Sequence, residues 1–284
     1  MNNLLLEQLQ AAQQQLAPQF KALKVATGAL QTAVKTANTD KPEALAMQKA
    51  LVKLRQAADL VDDETLKTAV ATFANDTQQA LDALAFEFAR DVKDAFAAQG
   101  QTVNGRPPTL AIGDFVLNID IATRKAQWLY GKEELTRPMP LSVSALLKAY
   151  GQQQKALIQR DADPKFLPEL YQAWRNLMDE RTRAPAGNRL NLIDTYNKMT
   201  LNRQNARFWN APSRSTFKDY PRPIFVRDLV LAQDSPTVSS NGQTFRLRLG
   251  VATKSNAGNA NRSVWLPSSP VAGDYYSDIT FEEI

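Results

Sequence analysis

The residues with the clearest capacity for chemistry lie between positions 181 and 227, in RTRAPAGNRLNLIDTYNKMTLNRQNARFWNAPSRSTFKDYPRPIFVR. Ten cations fall there (Arg181, Arg183, Arg189, Lys198, Arg203, Arg207, Arg214, Lys218, Arg222 and Arg227) against two acids, Asp194 and Asp219. The segment carries +8 while the whole chain carries only +5, so the remainder sums to −3. Positive charge is local, which is how an electrostatic footprint for an anionic partner looks. Six aromatics are interleaved: Tyr196, Phe208, Trp209, Phe217, Tyr220 and Phe225. Cations that neutralise phosphate beside aromatic faces that stack on bases make a nucleic-acid groove. Eight of the ten cations are Arg, whose planar fork suits phosphate better than the point charge of Lys.

Placed on a helix over 188–206, Arg189, Tyr196 and Arg203 recur every seven residues and Arg207 follows four later. All four then fall within about 40° of one another, while Leu190, Ile193 and Leu201 occupy an adjoining face for burial. Arg181, Arg183 and Arg189 cluster near the expected start of this helix, where an anion would be favoured by both the arginines and the helix dipole. Beyond it, Trp209, Arg214, Lys218 and Arg222 continue the mixture through turn residues. The expected contact set is therefore Arg181, Arg183, Arg189, Tyr196, Arg203, Arg207, Trp209, Arg214, Lys218 and Arg222. An acidic protein surface, or carboxylates within the chain, would satisfy the same arginines, and Phe208 and Phe225 are equally expected in a core. No RRM, KH or zinc-finger signature accompanies the segment.

The rest of the chemical inventory is narrow. The chain has no Cys and no His. That excludes disulfides, zinc fingers, thiol nucleophiles, histidine bases and any Ser-His-Asp triad. An all-carboxylate Mg²⁺ or Ca²⁺ site stays open. Asp114, Asp120, Glu133 and Glu134 lie on or beside an expected hairpin, and a carboxylate-metal nuclease is the catalytic alternative, although their spacing matches no nuclease signature. LYGKEEL (129–135) lacks the first glycine and the final Ser/Thr of a phosphate-binding P-loop. The expectation is a protein without enzymatic activity or cofactor.

The elements that must position these residues divide in two. Before residue 100 the only glycine is Gly28 and the only prolines are Pro18 and Pro42, and Trp and Tyr are absent. Ala, Gln, Leu and Lys dominate there, a helix-forming composition. The reading is a helical bundle or assembly region over 1–100 and an α+β domain over 108–284 carrying the basic segment 181–227. Asp40, Pro42 and Glu43 have the spacing of a capping box opening the second helix. A long helix from Asp62 carries Leu66, Val70, Phe73, Leu81, Leu84, Phe88, Val92 and Phe96 at helical intervals. The first helix carries Leu9, Leu16, Phe20, Leu23, Leu30 and Val34, interrupted by Pro18. These stripes either bury one another or pair with another protein subunit.

In the second half Phe115, Leu117, Ile119 and Ile121 alternate with polar or smaller residues as a strand does, and a partner strand carries Trp128 and Tyr130. Helices are expected at about 142–159, 165–182 and 188–206. Strands are expected in PIFVRDLVLA, QTFRLRLGVAT and RSVWLP, followed by an acidic end, DYYSDITFEEI. No run approaches 18 apolar residues, so no membrane helix is expected. MNNLLLEQLQ lacks the features of a signal peptide, which points to the cytoplasm. The composite expectation is a cytoplasmic, non-catalytic DNA- or RNA-binding accessory subunit of a protein complex, its N-terminal helices engaging other subunits. A protein–protein adaptor without nucleic-acid contact, of the kind found by analogy in bacterial defence machines, is the alternative.

Overall fold

The computed structural model describes residues 3–39 and 42–284, and the chain is α+β: helices lead, and antiparallel sheets with further helices follow. Its helices are α1 (Asn3–Ala37), α2 (Ala44–Ala58), α3 (Glu64–Ala97), α4 (Val143–Gln153), α5 (Phe166–Asp179), α6 (Leu192–Asn202), α7 (Ala206–Asn210) and α8 (Arg222–Ala232). The strands are β1 (Val103–Arg106), β2 (Thr109–Ile112), β3 (Phe115–Asp120), β4 (Lys125–Tyr130), β5 (Glu133–Glu134), β6 (Met139–Pro140), β7 (Leu190–Asn191), β8 (Thr237–Ser240), β9 (Gln243–Val251), β10 (Val264–Pro267) and β11 (Gly273–Glu283). Contacts divide the chain into two units, one of 1–92 with segments 106–108 and 119–125, the other of 93–105, 109–118 and 126–284.

In the first unit α1 lies along α2, and its small residues Ala26, Ala29 and Ala33 close on Leu54, Ala57 and Leu66. Pro18 does not interrupt α1 as its sequence suggests, and the helix runs through it. The lost N–H leaves one carbonyl without its helical donor, a group that water can satisfy because every described side chain from Leu4 to Lys21 is exposed. The expected capping box rests on Asp40, which lies outside the described residues; Glu43, expected in the first turn, is instead the N-cap residue of α2, without a side-chain cap bond. The N-cap role at α3 falls to Asp63, whose Oδ1 accepts from the Leu66 N–H at 2.7 Å. Lys67 then ties Asp62 (2.6 Å) and Glu64 (2.8 Å) across the first turn.

After α3 the chain forms two sheets. In one the strand order is β1-β2-β3-β4-β5 with β6 beside β4, and the expected hairpin is β3–β4. Trp128 and Phe115 from that hairpin meet Phe96 and Tyr150 at ring-centre distances of 5.0–6.4 Å, all buried. Strands β1 and β2 occupy a stretch that reads as a boundary in sequence, because Gly105, Pro107 and Pro108 dominate it. The other sheet runs β10-β11-β9-β8, with β7 on the free part of β11. Its central strand is the acidic C-terminal stretch: Ile279 and Phe281 are buried, and Asp274, Glu282 and Glu283 are exposed. Asn241 and Gly242, with φ of 51° and 81°, make the two-residue turn between β8 and β9. Helix α5 packs Tyr171 and Trp174 on Phe281 at 5.1 and 5.5 Å.

Two expectations fail in this part of the chain. PIFVRDLVLA is not a strand but lies within α8, where Pro221 is N-cap and Pro223 sits in the first turn. Phe225, Val226 and Leu229 are fully buried, so the run follows the helical period in spite of its β-favouring residues. Nor does one helix span 188–206. Asn188 has φ 52°, Leu190 pairs as a strand with Ile279, and α6 begins only at Leu192.

Candidate nucleic-acid interface

The shorter α6 breaks up the arginine stripe. Arg189 precedes the helix in extended backbone, Tyr196 lies within it, Arg203 is its C-cap, and Arg207 belongs to α7. The helix start is not free for an anion either. The Asn191 Oδ1 accepts from the N–H groups of Ile193 (2.9 Å) and Asp194 (3.3 Å), and Asp194 adds a carboxylate to the first turn. Asn191 is itself fixed by donating to the Arg262 and Ser277 carbonyls at 3.0 and 3.2 Å.

Four members of the basic segment are tied to the chain's own groups. Arg203 donates from Nε to Glu169 Oε2 at 2.6 Å and from Nη2 to Asp163 Oδ2 at 3.3 Å, with its guanidinium 3.9 Å from the centre of the Tyr220 ring. Arg222 donates to Glu133 at 2.9 Å and to the Ala260 and Ser263 carbonyls at 2.5 and 2.8 Å. Lys198 pairs with Glu180. Tyr196 donates its hydroxyl to the Tyr220 carbonyl at 2.6 Å and stacks 4.7 Å from Phe225. Beneath Arg203, the Tyr220 hydroxyl donates to Asp228 Oδ2 at 2.7 Å, and Arg160 closes on the other oxygen. Burial, joined by the bond to Asp228, holds the Tyr220 hydroxyl far above its usual range, and burial also raises the carboxyls of Asp228 and Glu133.

Of the seven remaining cations Arg227 is half-buried within α8, and the other six are exposed and pair with no carboxylate among the described residues: Arg181, Arg183, Arg189, Arg207, Arg214 and Lys218. The first three precede α6 and the last three follow it. Eleven residues of helix, roughly 16 Å at 1.5 Å per residue, separate the two groups.

The group after α6 stands on a built lobe. Its base is Gln204, buried to 7% exposure. The Gln204 Nε2 donates to the Thr200 and Lys218 carbonyls at 2.7 and 2.8 Å, and its Oε1 accepts from the Lys218 N–H at 2.7 Å. One amide thereby clamps both ends of 205–217. Inside the loop Asn205 caps α7 by accepting from the Phe208 N–H at 3.2 Å. Thr216 Oγ1 accepts from the Ser213 N–H at 3.0 Å and lies 2.9 Å from the Ala211 carbonyl. Phe208 is wedged edge-on between Trp209 (5.2 Å) and Phe217 (5.5 Å). Phe208 is half-buried, while Trp209 is 57% exposed, its indole leaning on the Phe208 ring. The lobe thus holds a large aromatic in place but open to solvent, with three exposed cations, Arg207, Arg214 and Lys218, beside it in the chain.

Sequence reasoning missed Lys132, which sits over the Trp265 and Tyr275 rings at 4.1 and 4.5 Å and donates to the Tyr275 hydroxyl at 2.9 Å. Its only sequence signal is the sharp turn at Gly131 (φ 57°), where an added Cβ would strike Trp265 at 2.7 Å. Among the described residues Asp114, Asp120, Glu133 and Glu134 do not gather into a metal-binding cluster. Asp120 accepts from the Thr123 N–H within its own turn, and Glu133 is engaged by Arg222. No family model, curated protein or solved structure matches the chain, and no helix among the described residues is long and apolar enough to cross a membrane.

Proposed function

We propose that the protein is a non-catalytic nucleic-acid-binding subunit whose contact surface is the 205–219 lobe. Arg207, Arg214 and Lys218 meet phosphates, and Trp209 stacks on a base. The observation that carries this reading is the exposed Trp209 on a hydrogen-bonded lobe with three unpaired cations. Arg181, Arg183 and Arg189 supply a second positive group that tracks the backbone of a longer ligand. Arg203, Tyr196 and Arg222 leave the contact set and become structural. A lobe that ordered itself only on binding would spend affinity on its own ordering, and this one is clamped beforehand. Single strands fit the site better than duplex, because stacking on Trp209 needs an unpaired base face. Other subunits of a complex are engaged through the N-terminal helices, in a cytoplasmic setting.

The test is a fluorescence-anisotropy titration of the full chain against labelled single-stranded DNA, single-stranded RNA and duplex DNA over a salt series. Three phosphate contacts on a single strand give a log–log salt slope of about −2. Trp209→Ala is expected to cost about 1–3 kcal/mol of binding, most of it for single strands. Absence of binding to any of the three at low salt refutes the reading.

A further inference from the structure

Helix α1 has two faces of opposite character. Towards α2 it presents alanines, with Ala26, Ala29 and Ala33 buried at 4–7% exposure. On the other side stand Leu6, Leu9, Leu16, Phe20, Leu23 and Val34, exposed between 54% and 71%. The helix buries its small residues and leaves its large ones in water, the reverse of what a helix with a single partner does.

The spacing of the open face is that of a coiled coil. Positions 6, 13, 20, 27 and 34 and positions 9, 16, 23 and 30 form the two interleaved series of a heptad seam, about 42 Å long at 1.5 Å per residue. Seven of these nine positions are Leu, Phe or Val, and the exceptions are Gln13 and Thr27; six of the seven are exposed, while Leu30, near the end of the row, is half-buried against the chain's own core. Pro18 falls on the side opposite the seam, where its ring meets no partner. At roughly 100 Å² per large side chain the six exposed residues offer about 600 Å² per chain, at the lower end of what each partner contributes to a stable complex.

We propose that α1 is the seam of a parallel homodimer, closed by α1 of a second copy of this chain. Three observations choose this occupant. In a parallel pair in register each layer meets its own copy, so neither polar residue is set against an apolar one: Gln13 faces Gln13 and Thr27 faces Thr27. The Thr27 hydroxyl already donates to the Leu23 carbonyl at 2.8 Å, so it enters the seam satisfied. The positions flanking the seam, where charges dictate partner choice between unlike helices, hold one charge among the described side chains, Lys24, which faces uncharged Gln19 of a second copy. An identical helix therefore meets no like-charge pair, and a different helix finds no charge code to read. The dimer does not depend on the nucleic-acid reading.

Sedimentation equilibrium of the full chain tests it. The chain is expected at twice its 31.5 kDa mass. Leu16→Glu with Phe20→Glu is expected to weaken self-association about 100-fold or more. Both positions are exposed, so the thermal transition of the remaining structure should be unchanged. The chain has no cysteine, so Leu9→Cys adds a single thiol at one layer of the seam, and under mild oxidation it should form an interchain disulfide. Antiparallel partners would hold those thiols tens of ångströms apart. A wild-type chain at single mass, alone or with its seam filled only by a different protein, overturns the proposal. So does a double variant that stays dimeric, or a dimer in which the Leu9→Cys disulfide fails to form.

Discussion

Replacing Arg203 with Ala removes a side chain that ties the end of α6 to Glu169, Asp163 and the Tyr220 ring. Its side chain is 17% exposed and its partners Glu169 and Asp163 are 37% and 29% exposed. The 2.6 Å contact to Glu169 is the stronger bond, and the 3.3 Å contact to Asp163 is the weaker. Hydrogen bonds between charged groups contribute about 1.5–3 kcal/mol each, but both carboxylates are open enough to regain water when the arginine leaves, which cuts that cost. The stacking on Tyr220 at 3.9 Å adds about 1 kcal/mol. The net expectation is a loss of about 2–3 kcal/mol, or about 5–10 °C in the melting temperature of a unit this size. Arg203→Lys should recover part of it, since a lysine keeps the charge but cannot bridge two carboxylates with a planar fork. Scanning calorimetry and urea unfolding supply the measurement, with anisotropy on the same samples. Arg203→Ala with an unchanged melting temperature and a large loss of nucleic-acid affinity would refute the reasoning, because the arginine would then be spent on ligand.

Gln204→Ala deletes the clamp and leaves the Lys218 N–H and carbonyl without their partner, so it should cost about 2–3 kcal/mol. It should also make 205–217 the first site of limited proteolysis, and an uncleaved lobe would contradict this. The pH dependence carries a definite sign. Burial raises the folded carboxyls of Asp228 and Glu133 above their ordinary 3.8 and 4.5. The folded state holds those protons more tightly than the unfolded chain does. Their contribution is fully present below about pH 4 and is lost as pH rises through the raised values. The wild-type unfolding free energy, compared with that of Asp228→Asn, should therefore fall as pH rises from about 4; a rising difference would mean that pairing with Arg160 outweighs burial.

The α+β class, the helical first hundred residues and the β3–β4 hairpin were legible in sequence because their apolar residues recur at helical or strand periods. The errors arose where local preference and tertiary context disagree. IFV in α8 favours strands by composition, yet the burial of Phe225, Val226 and Leu229 decides for a helix. Leu190 fits a helical face equally well, but it is taken by pairing with Ile279 on a strand more than 80 residues away. The density of charge in 181–227 was legible, whereas the fate of each cation was not. Arg203 is claimed by a carboxylate 34 residues distant and Arg222 by one 89 residues distant, and no local pattern reports such partners. Gln204 gave no signal at all, since its role lies in three hydrogen bonds to backbone that only the closed loop brings together. Trp209 stood out in sequence and is the one large aromatic of the segment left more than half exposed.

Charge reversal on the lobe addresses the central claim most directly. Arg207 and Arg214 are exposed and pair with no carboxylate among the described residues. Arg207→Glu with Arg214→Glu should therefore leave the melting temperature within a degree or two, on the small scale of surface substitutions. In an anisotropy titration against a single-stranded oligonucleotide, the double variant should bind at least about 100-fold more weakly and with a flatter salt dependence, as expected when two phosphate contacts become repulsive. Wild-type affinity in a folded double variant would contradict the account, placing the contact with nucleic acid elsewhere or nowhere on this chain.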